Sequence, residues 1–153
     1  MKTLLLLMSL LITTTALAVD KIYLDRLMNT HVCHHCNLKD AQLSGLDLSG
    51  ADMSEALLKN INLSEATLVG VWFTRSRIQG GNFENANVSQ SLFDYSLLND
   101  ANLKGVDFSE ATLNFADLTG ADLTGAIFKD TSLRGVLYCN TTMPDGVVNN
   151  SGC

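Results

Sequence analysis

Basic residues are in short supply: the 153-residue chain has ten Lys and Arg against 16 Asp and Glu, a formal charge of -6 at pH 7. Non-specific nucleic-acid binding depends on cations that neutralise phosphates, so that class of function is excluded. Long apolar runs are also scarce. The one example, Leu4 to Ile12, stands at the N-terminus, falls well short of the roughly 20 residues that span a bilayer, and has no later counterpart. Histidine occurs three times, as His31, His34 and His35, all within one short window. A Ser, His and Asp set drawn from separate parts of the chain is therefore missing, and no Gly-rich phosphate loop follows a strand. The length suits one domain with a modest core and is crowded for two.

What is present begins with a leader. Lys2, the apolar run and the small-residue pattern Ala16-Leu17-Ala18 before Val19 form the three parts of a secretory signal peptide, with cleavage expected after Ala18. The protein is expected to be exported, to a periplasm or outside the cell, with no membrane span left after cleavage. Loss of Lys2 with the leader leaves nine cations against 16 acids, a formal charge of -7. All four cysteines, Cys33, Cys36, Cys139 and Cys153, lie beyond it, and an even count in an exported chain favours disulfides over free thiols.

From Leu38 onward a large apolar residue recurs at every fifth position, through Leu43, Leu48, Met53 and Leu58 to Leu133 and Tyr138, 21 centres with no insertion. Two residues before most centres stands a small or β-branched side chain, such as Ala41, Ala51, Val71 or Ala121. An α-helix, turning about 100° per residue, would smear these centres around its circumference. A continuous strand would send alternate centres to opposite faces. A short extended step with both residues inward, followed by a corner, fits the period. Glycines such as Gly45, Gly50, Gly105, Gly120 and Gly125 give the corner its backbone freedom. Repeated corners of one hand build a β-helix whose coils stack about 4.8 Å apart around a shared core. The period alone leaves open whether a coil has three sides or four.

The A(D/N)LxG pattern of Ala51-Asp52-Met53, Ala101 to Gly105 and Ala116 to Gly125 resembles the pentapeptide-repeat family. The resemblance runs from about Cys36 to Tyr138. It implies an all-β fold, a right-handed quadrilateral β-helix of about twenty residues per coil, about five coils and a rod roughly 25 Å long. The ends are similar to those of exported members, with Cys33-His34-His35-Cys36 before the first repeat and Tyr138 to Gly146 closing the last. The expected organisation is a signal peptide at 1–18, an N-terminal cap at 19–35, the β-helix at 36–138 and a C-terminal cap at 139–153.

Stacked coils leave two open ends that terminal segments must cover. Asp20 is expected to cap a short helix in which Ile22, Tyr23, Leu27 and Met28 lie on or near one side. Met143-Pro144-Asp145-Gly146 is a turn signal that folds the tail back. Opposite ends of such a rod cannot meet, and a bridge needs Cα atoms within about 7 Å, so Cys33 is expected to pair with Cys36 and Cys139 with Cys153. Other chemistry competes at the N-terminal cluster. Haem attachment needs His directly after the second cysteine, where Asn37 stands, and is discarded. His31, Cys33, His34, His35 and Cys36 are all good zinc or copper ligands, but neighbours on one short stretch converge poorly on one ion and no second Cys/His cluster exists. A redox dithiol calls for a first cysteine exposed at a helix N-terminus, whereas this motif abuts a β-coil.

A square rod is convex and catalysis needs convergent groups in a concave place, so neither enzyme activity nor a cofactor is expected. Asp52, Asp107, Asp117 and Asp122, with Asn62, Asn82, Asn87 and Asn102, all precede a centre and belong to the repeat. Asn62, Asn87, Asn140 and Asn149 are formal N-glycosylation acceptors. With four pentads per coil, residues twenty apart stack, and two adjoining faces then break the polar rule. Their pre-centre columns read Asp52, Trp72, Leu92, Thr112, Ser132 and Leu57, Arg77, Leu97, Asp117, Leu137; the corner between them reads Glu55, Arg75, Tyr95, Phe115, Gly135. Trp72, Arg75, Arg77, Leu92, Tyr95, Leu97 and Phe115 are expected to form one outward patch, unless the terminal segments fold over it. Exposed aromatic and Arg clusters mark interfaces.

The function expected from this is an exported, non-catalytic scaffold that presents the patch to a protein partner or to a second copy of itself. The family resemblance implies an alternative, since some members mimic duplex DNA and bind DNA gyrase. The acidic rod suits that role, and the leader directs the chain away from it. Metal binding at the N-terminal cap is a third reading.

Overall fold

The five-residue period closes on itself after four steps. In the computed structural model, which describes residues 21–153, each pre-centre residue pairs in parallel with the residue twenty further on: Gln42 with Asn62, Asn62 with Asn82, Asn82 with Asn102, and likewise on the other faces. The coil is therefore four-sided. Two hydrogen bonds tie each pairing, as where the Leu43 N–H donates to the Asn62 carbonyl and the Asn62 N–H to the Ala41 carbonyl, both at 2.8 Å. The ladder starts at Val32 and ends at Thr142, so Cys33 and Met143 take the centre position one pentad beyond Leu38 and Tyr138. The leader and Asp20 lie outside the described residues.

Inward positions fill the rod. Leu38, Leu58, Phe73, Phe83, Phe93 and Phe108 are wholly buried, and the small residues before them, such as Ala51 and Ala111, are buried beside them. Each such large side chain contributes about 1.5–3 kcal/mol by leaving water. The phenylalanines pack on one another: Phe73 stacks on Phe93 at 4.7 Å between centroids, and Phe83 meets Phe73 edge-on at 5.8 Å.

Most corners repeat one turn. The Ala41 N–H donates back to the Leu38 carbonyl at 3.1 Å, and Asp40 between them has φ of 61°. A positive φ at the third turn residue favours glycine, and Gly45 and Gly50 supply it, but Asn60, Glu65 and Gln90 occupy the same position. No β-branched residue stands there, because branching at Cβ is least compatible with this backbone region. Where Asp or Asn precedes a centre it holds the next corner: Asp47 Oδ1 accepts the Ser49 N–H at 3.0 Å and Asp107 Oδ1 the Ser109 N–H at 2.9 Å. On one face the amides also bond from coil to coil, Asn62 to Gln42 at 3.1 Å and Asn102 to Asn82 at 3.0 Å.

Helix α1 (Lys21–Thr30) closes the first coil. Leu27 is wholly buried, and Tyr23 and Leu24 pack against the core. This corrects the helical face expected above, since Ile22 and Met28 are exposed and Leu24 takes the inward place. At about 100° per residue, positions 23, 24 and 27 share one arc and 22 and 28 fall outside it. Arg26 replaces the missing preceding coil: its Nε donates to the Val32 carbonyl at 2.8 Å and its Nη2 to the His34 carbonyl at 3.1 Å. At the far end, strands β1 (Thr141–Thr142) and β2 (Val148–Asn149) form an antiparallel hairpin around Pro144. Disulfides join Cys33 to Cys36 and Cys139 to Cys153, with Cα atoms 5.1 and 4.9 Å apart. Among the described residues no helix is long and apolar enough to cross a membrane.

Candidate functional site

Three large aromatic side chains stand outside the rod. Trp72 and Tyr95 are each 53% exposed and Phe115 is 44% exposed. Trp72 sits mid-side and pairs through its backbone with Leu92; Tyr95 and Phe115 occupy consecutive coils at the adjoining corner. Their rings stack at 5.1 Å between centroids with planes 13° apart. Arginines close both ends of the stack, Arg75 with its Cζ 5.8 Å from the Tyr95 centroid and Arg134 with its Cζ 5.5 Å from the Phe115 centroid. The Phe115 ring also lies over Gly135, where a Cβ would come within 2.6 Å of it. Leu92 and Leu97 are half-buried on the flanking sides, and Arg75 and Arg77 are exposed. The described terminal segments leave Trp72, Tyr95 and Phe115 open to solvent.

Tyr95 and Phe115 both have φ of 60°. A bulky ring in this left-handed region costs roughly 1–2 kcal/mol relative to ordinary backbone, a cost that corners such as Gly45, Gly50 and Gly120 avoid and that Asp40, Asn60 and Asn85 lessen. Beside the patch, Asn37, Lys39, Leu57, Lys59, Arg77 and Gln79 line a shallow groove of about 370 Å³. Arg77 belongs to both. Arg134 and the two lysines are the members that a column reading of the sequence passes over, because they sit on turn positions beside the pre-centre columns. The nearest carboxylate with a displaced pKa is Asp117. Burial pushes it up, but hydrogen bonds from the Thr119 hydroxyl and N–H and from the Asn99 amide outweigh that and hold it below its usual value.

A model of pentapeptide repeats matches residues 36–75, 56–94 and 101–137, in eight copies. The chain belongs to the pentapeptide-repeat family. Among solved structures it is similar to AT2G44920, a pentapeptide repeat protein from the Arabidopsis thaliana thylakoid lumen, at 28% identity over 70% of this chain and 71% of that one, with a TM-score of 0.37. It is similar to alr5209 from Nostoc at 22% identity over 78% and 96% of the two chains, TM-score 0.44. HetL, a pentapeptide repeat protein involved in heterocyst differentiation regulation in Nostoc, matches at 20% identity over 77% and 72%, TM-score 0.36. No curated protein matches the chain.

For a pentapeptide-repeat coil the surface is sharply divided. The two sides opposite the patch carry Asp47, Glu65, Glu84, Asp107, Glu110, Asp122 and Asp130 against Lys104 and Lys129 alone. The patch sides hold Lys39, Lys59, Arg75, Arg77 and Arg134 among their carboxylates. Of the residues weighed as metal ligands, Cys33 and Cys36 are consumed by their disulfide and wholly buried, which also shields the bridge from attacking thiols. His34 and His35 come together on the corner between them, 3.9 Å apart by ring centroid, while His31 lies at the end of α1.

Proposed function

We infer that this pentapeptide-repeat protein is an exported, non-catalytic scaffold that docks a protein partner on the corner formed by Trp72, Tyr95 and Phe115. One observation carries the reading: a Tyr–Phe stack held between two arginines, outside the rod, on backbone that disfavours bulky side chains. Glycine would hold this corner with less backbone strain, whereas a partner gains apolar contact area flanked by cations. The partner that fits offers apolar side chains to the rings and carboxylates to Arg75, Arg77 and Lys59.

The test is the double variant Trp72→Ser, Tyr95→Ser used beside the parent as cross-linking bait in exported fractions of the host and in sedimentation. The expected result is a nearly unchanged thermal midpoint with loss of the captured partner, or of self-association if the partner is a second copy. An unchanged set of captured proteins, or a large fall in thermal midpoint, overturns the reading. Export itself is checked by intact mass, which should begin at Val19 with all four cysteines protected.

The acidic pair of sides favours a second reading, in which the rod mimics duplex DNA toward an enzyme such as gyrase. Recovery of the uncleaved chain from the cytoplasm, together with inhibition of gyrase supercoiling, would put that reading first.

A further inference from the structure

His34 and His35 are the two residues enclosed by the Cys33–Cys36 bridge, and together they form the corner after the inward Cys33. That corner is held rigid. The Cys36 N–H bonds the Cys33 carbonyl at 3.1 Å, Arg26 holds the His34 carbonyl, and the His35 N–H donates to the Ser54 carbonyl of the next coil at 3.1 Å. The twenty-residue register therefore sets Ser54 against His34 and Glu55 against His35. His34 Nδ1 lies 2.8 Å from Ser54 Oγ, and His35 Nδ1 lies 3.7 Å from Glu55 Oε2.

The hydrogen-bond chain assigns the His34 tautomer. The Ser54 hydroxyl donates its only hydrogen to Asp52 Oδ1, so toward His34 its oxygen accepts. His34 Nδ1 must then carry the proton, which leaves the Nε2 lone pair free. Metal-binding imidazoles are oriented by an acceptor on the far ring nitrogen, commonly a carboxylate, backbone carbonyl or water, and the Ser54 hydroxyl oxygen takes that place here. One ligand atom from each of His34, His35 and Glu55 lies within 4.8 Å of the other two. Metal–ligand bonds of about 2.0–2.2 Å need these atoms to draw together by about an ångström, which the exposed His35 and Glu55 side chains can supply.

We propose that His34, His35 and Glu55 bind one divalent transition-metal ion of the zinc or copper class, with Ser54 and Asp52 as positioning residues. Two imidazoles and one carboxylate with an open side to solvent are a donor set for such ions, and the disulfide removes thiolate from the choice. The bound ion would pin the first coil to the second.

The experiment uses the mature, untagged protein with both disulfides intact, stripped with chelator and titrated with zinc and then copper(II) by calorimetry. One equivalent is expected, with a rise in thermal midpoint. His34→Ala and Glu55→Gln should each weaken binding about tenfold or more; Ser54→Ala should weaken it by roughly 10–100-fold and Ser54→Thr, which keeps the hydroxyl, should restore it. His31→Ala is the control and should bind as the parent does. In parallel, zinc should shift the ring proton resonances of His34 and His35 in the unmutated protein and leave those of His31 in place, which keeps the test alive if a variant misfolds. No saturable binding at millimolar metal, equal weakening by His31→Ala, or binding only after reduction of the Cys33–Cys36 bridge overturns the proposal.

Discussion

At the N-terminal end of the rod Leu27 and both cysteines of the Cys33–Cys36 bridge are wholly buried, whereas at the C-terminal end the inward centres Phe128, Leu133 and Tyr138 are only half-buried and Cys153 lies in solvent. The first end is plugged by a helix whose apolar arc continues the core and whose Arg26 takes up the backbone carbonyls that no earlier coil can use. The second is finished by a short hairpin. Thr141 is buried and its hydroxyl reaches the Leu118 carbonyl at 2.8 Å, but Phe128, Leu133, Val136 and Tyr138 in the last coil remain partly open. The two bridges differ accordingly. Cys33 and Cys36 stand at inward positions and act as core residues, while Cys139 stands on a corner and tethers the tail. A disulfide at each end therefore does not mean an equivalent cap at each end.

The largest expected difference comes from one substitution made at both ends. Leu38→Ala removes a wholly buried side chain beside the helix plug and should cost about 2–5 kcal/mol; Leu133→Ala, at a half-buried centre, should cost about 1 kcal/mol. Denaturant titration measures both, and equal losses would show that the last coil is packed as tightly as the first. Next in size are the bridges. Under mild native reduction followed by alkylation, mass analysis should find Cys139 and Cys153 labelled long before Cys33 and Cys36, because access limits thiol attack. Loss of the outer bridge should cost up to about 3 kcal/mol by the chain-entropy estimate for a loop of this length.

The smallest effect sharpens the comparison by pH. Asp117 and Asp122 lie in coils near the open end, and both have carboxyls held below the usual 3.8. For Asp122 burial again pushes upward, and hydrogen bonds from Thr124 with the Lys104 ammonium at 3.2 Å outweigh it. A carboxyl that binds its proton less readily when folded adds stability above its unfolded value, and this is lost as pH falls through the lower folded value. The thermal midpoint should therefore hold down to about pH 4 and fall below it, with Asp117→Asn and Asp122→Asn flattening the fall. Asp47, nearer the closed end, is also lowered by the Ser49 hydroxyl and N–H, but it is fully exposed and screened. Hydrogen exchange in acid should accordingly open the amides of Leu118 and Leu123 before that of Leu38. The reverse order would break the contrast between the ends.

Much of this was legible in one dimension. Leu38 to Tyr138 announce the period, and a five-residue step excludes helix and flat strand by geometry alone. The columns through Trp72, Tyr95 and Phe115 follow once residues twenty apart are stacked. Arg134 could have been found by looking one position beside the Gly135 corner. Glu55 as a neighbour of His35 could not be found by searching the histidine window, because its closeness comes from the next coil and not from the local chain. The helix face was misjudged for a related reason: Leu24 is inward because the first coil lies on that side, and ten residues of weak periodicity do not say which arc will meet it.

By itself the sequence determined the five-residue step, the inward and outward positions, and the corners from which β-branched residues are missing, since each follows from local backbone sterics and from where apolar side chains recur. Only the tertiary structure decided that four steps close a coil, because a five-residue period is equally compatible with other polygons until Gln42 meets Asn62 across a parallel pairing. The same register decided which side chains share a corner. It placed Tyr95 on Phe115 and Glu55 beside His35, contacts between residues twenty apart that no local preference encodes.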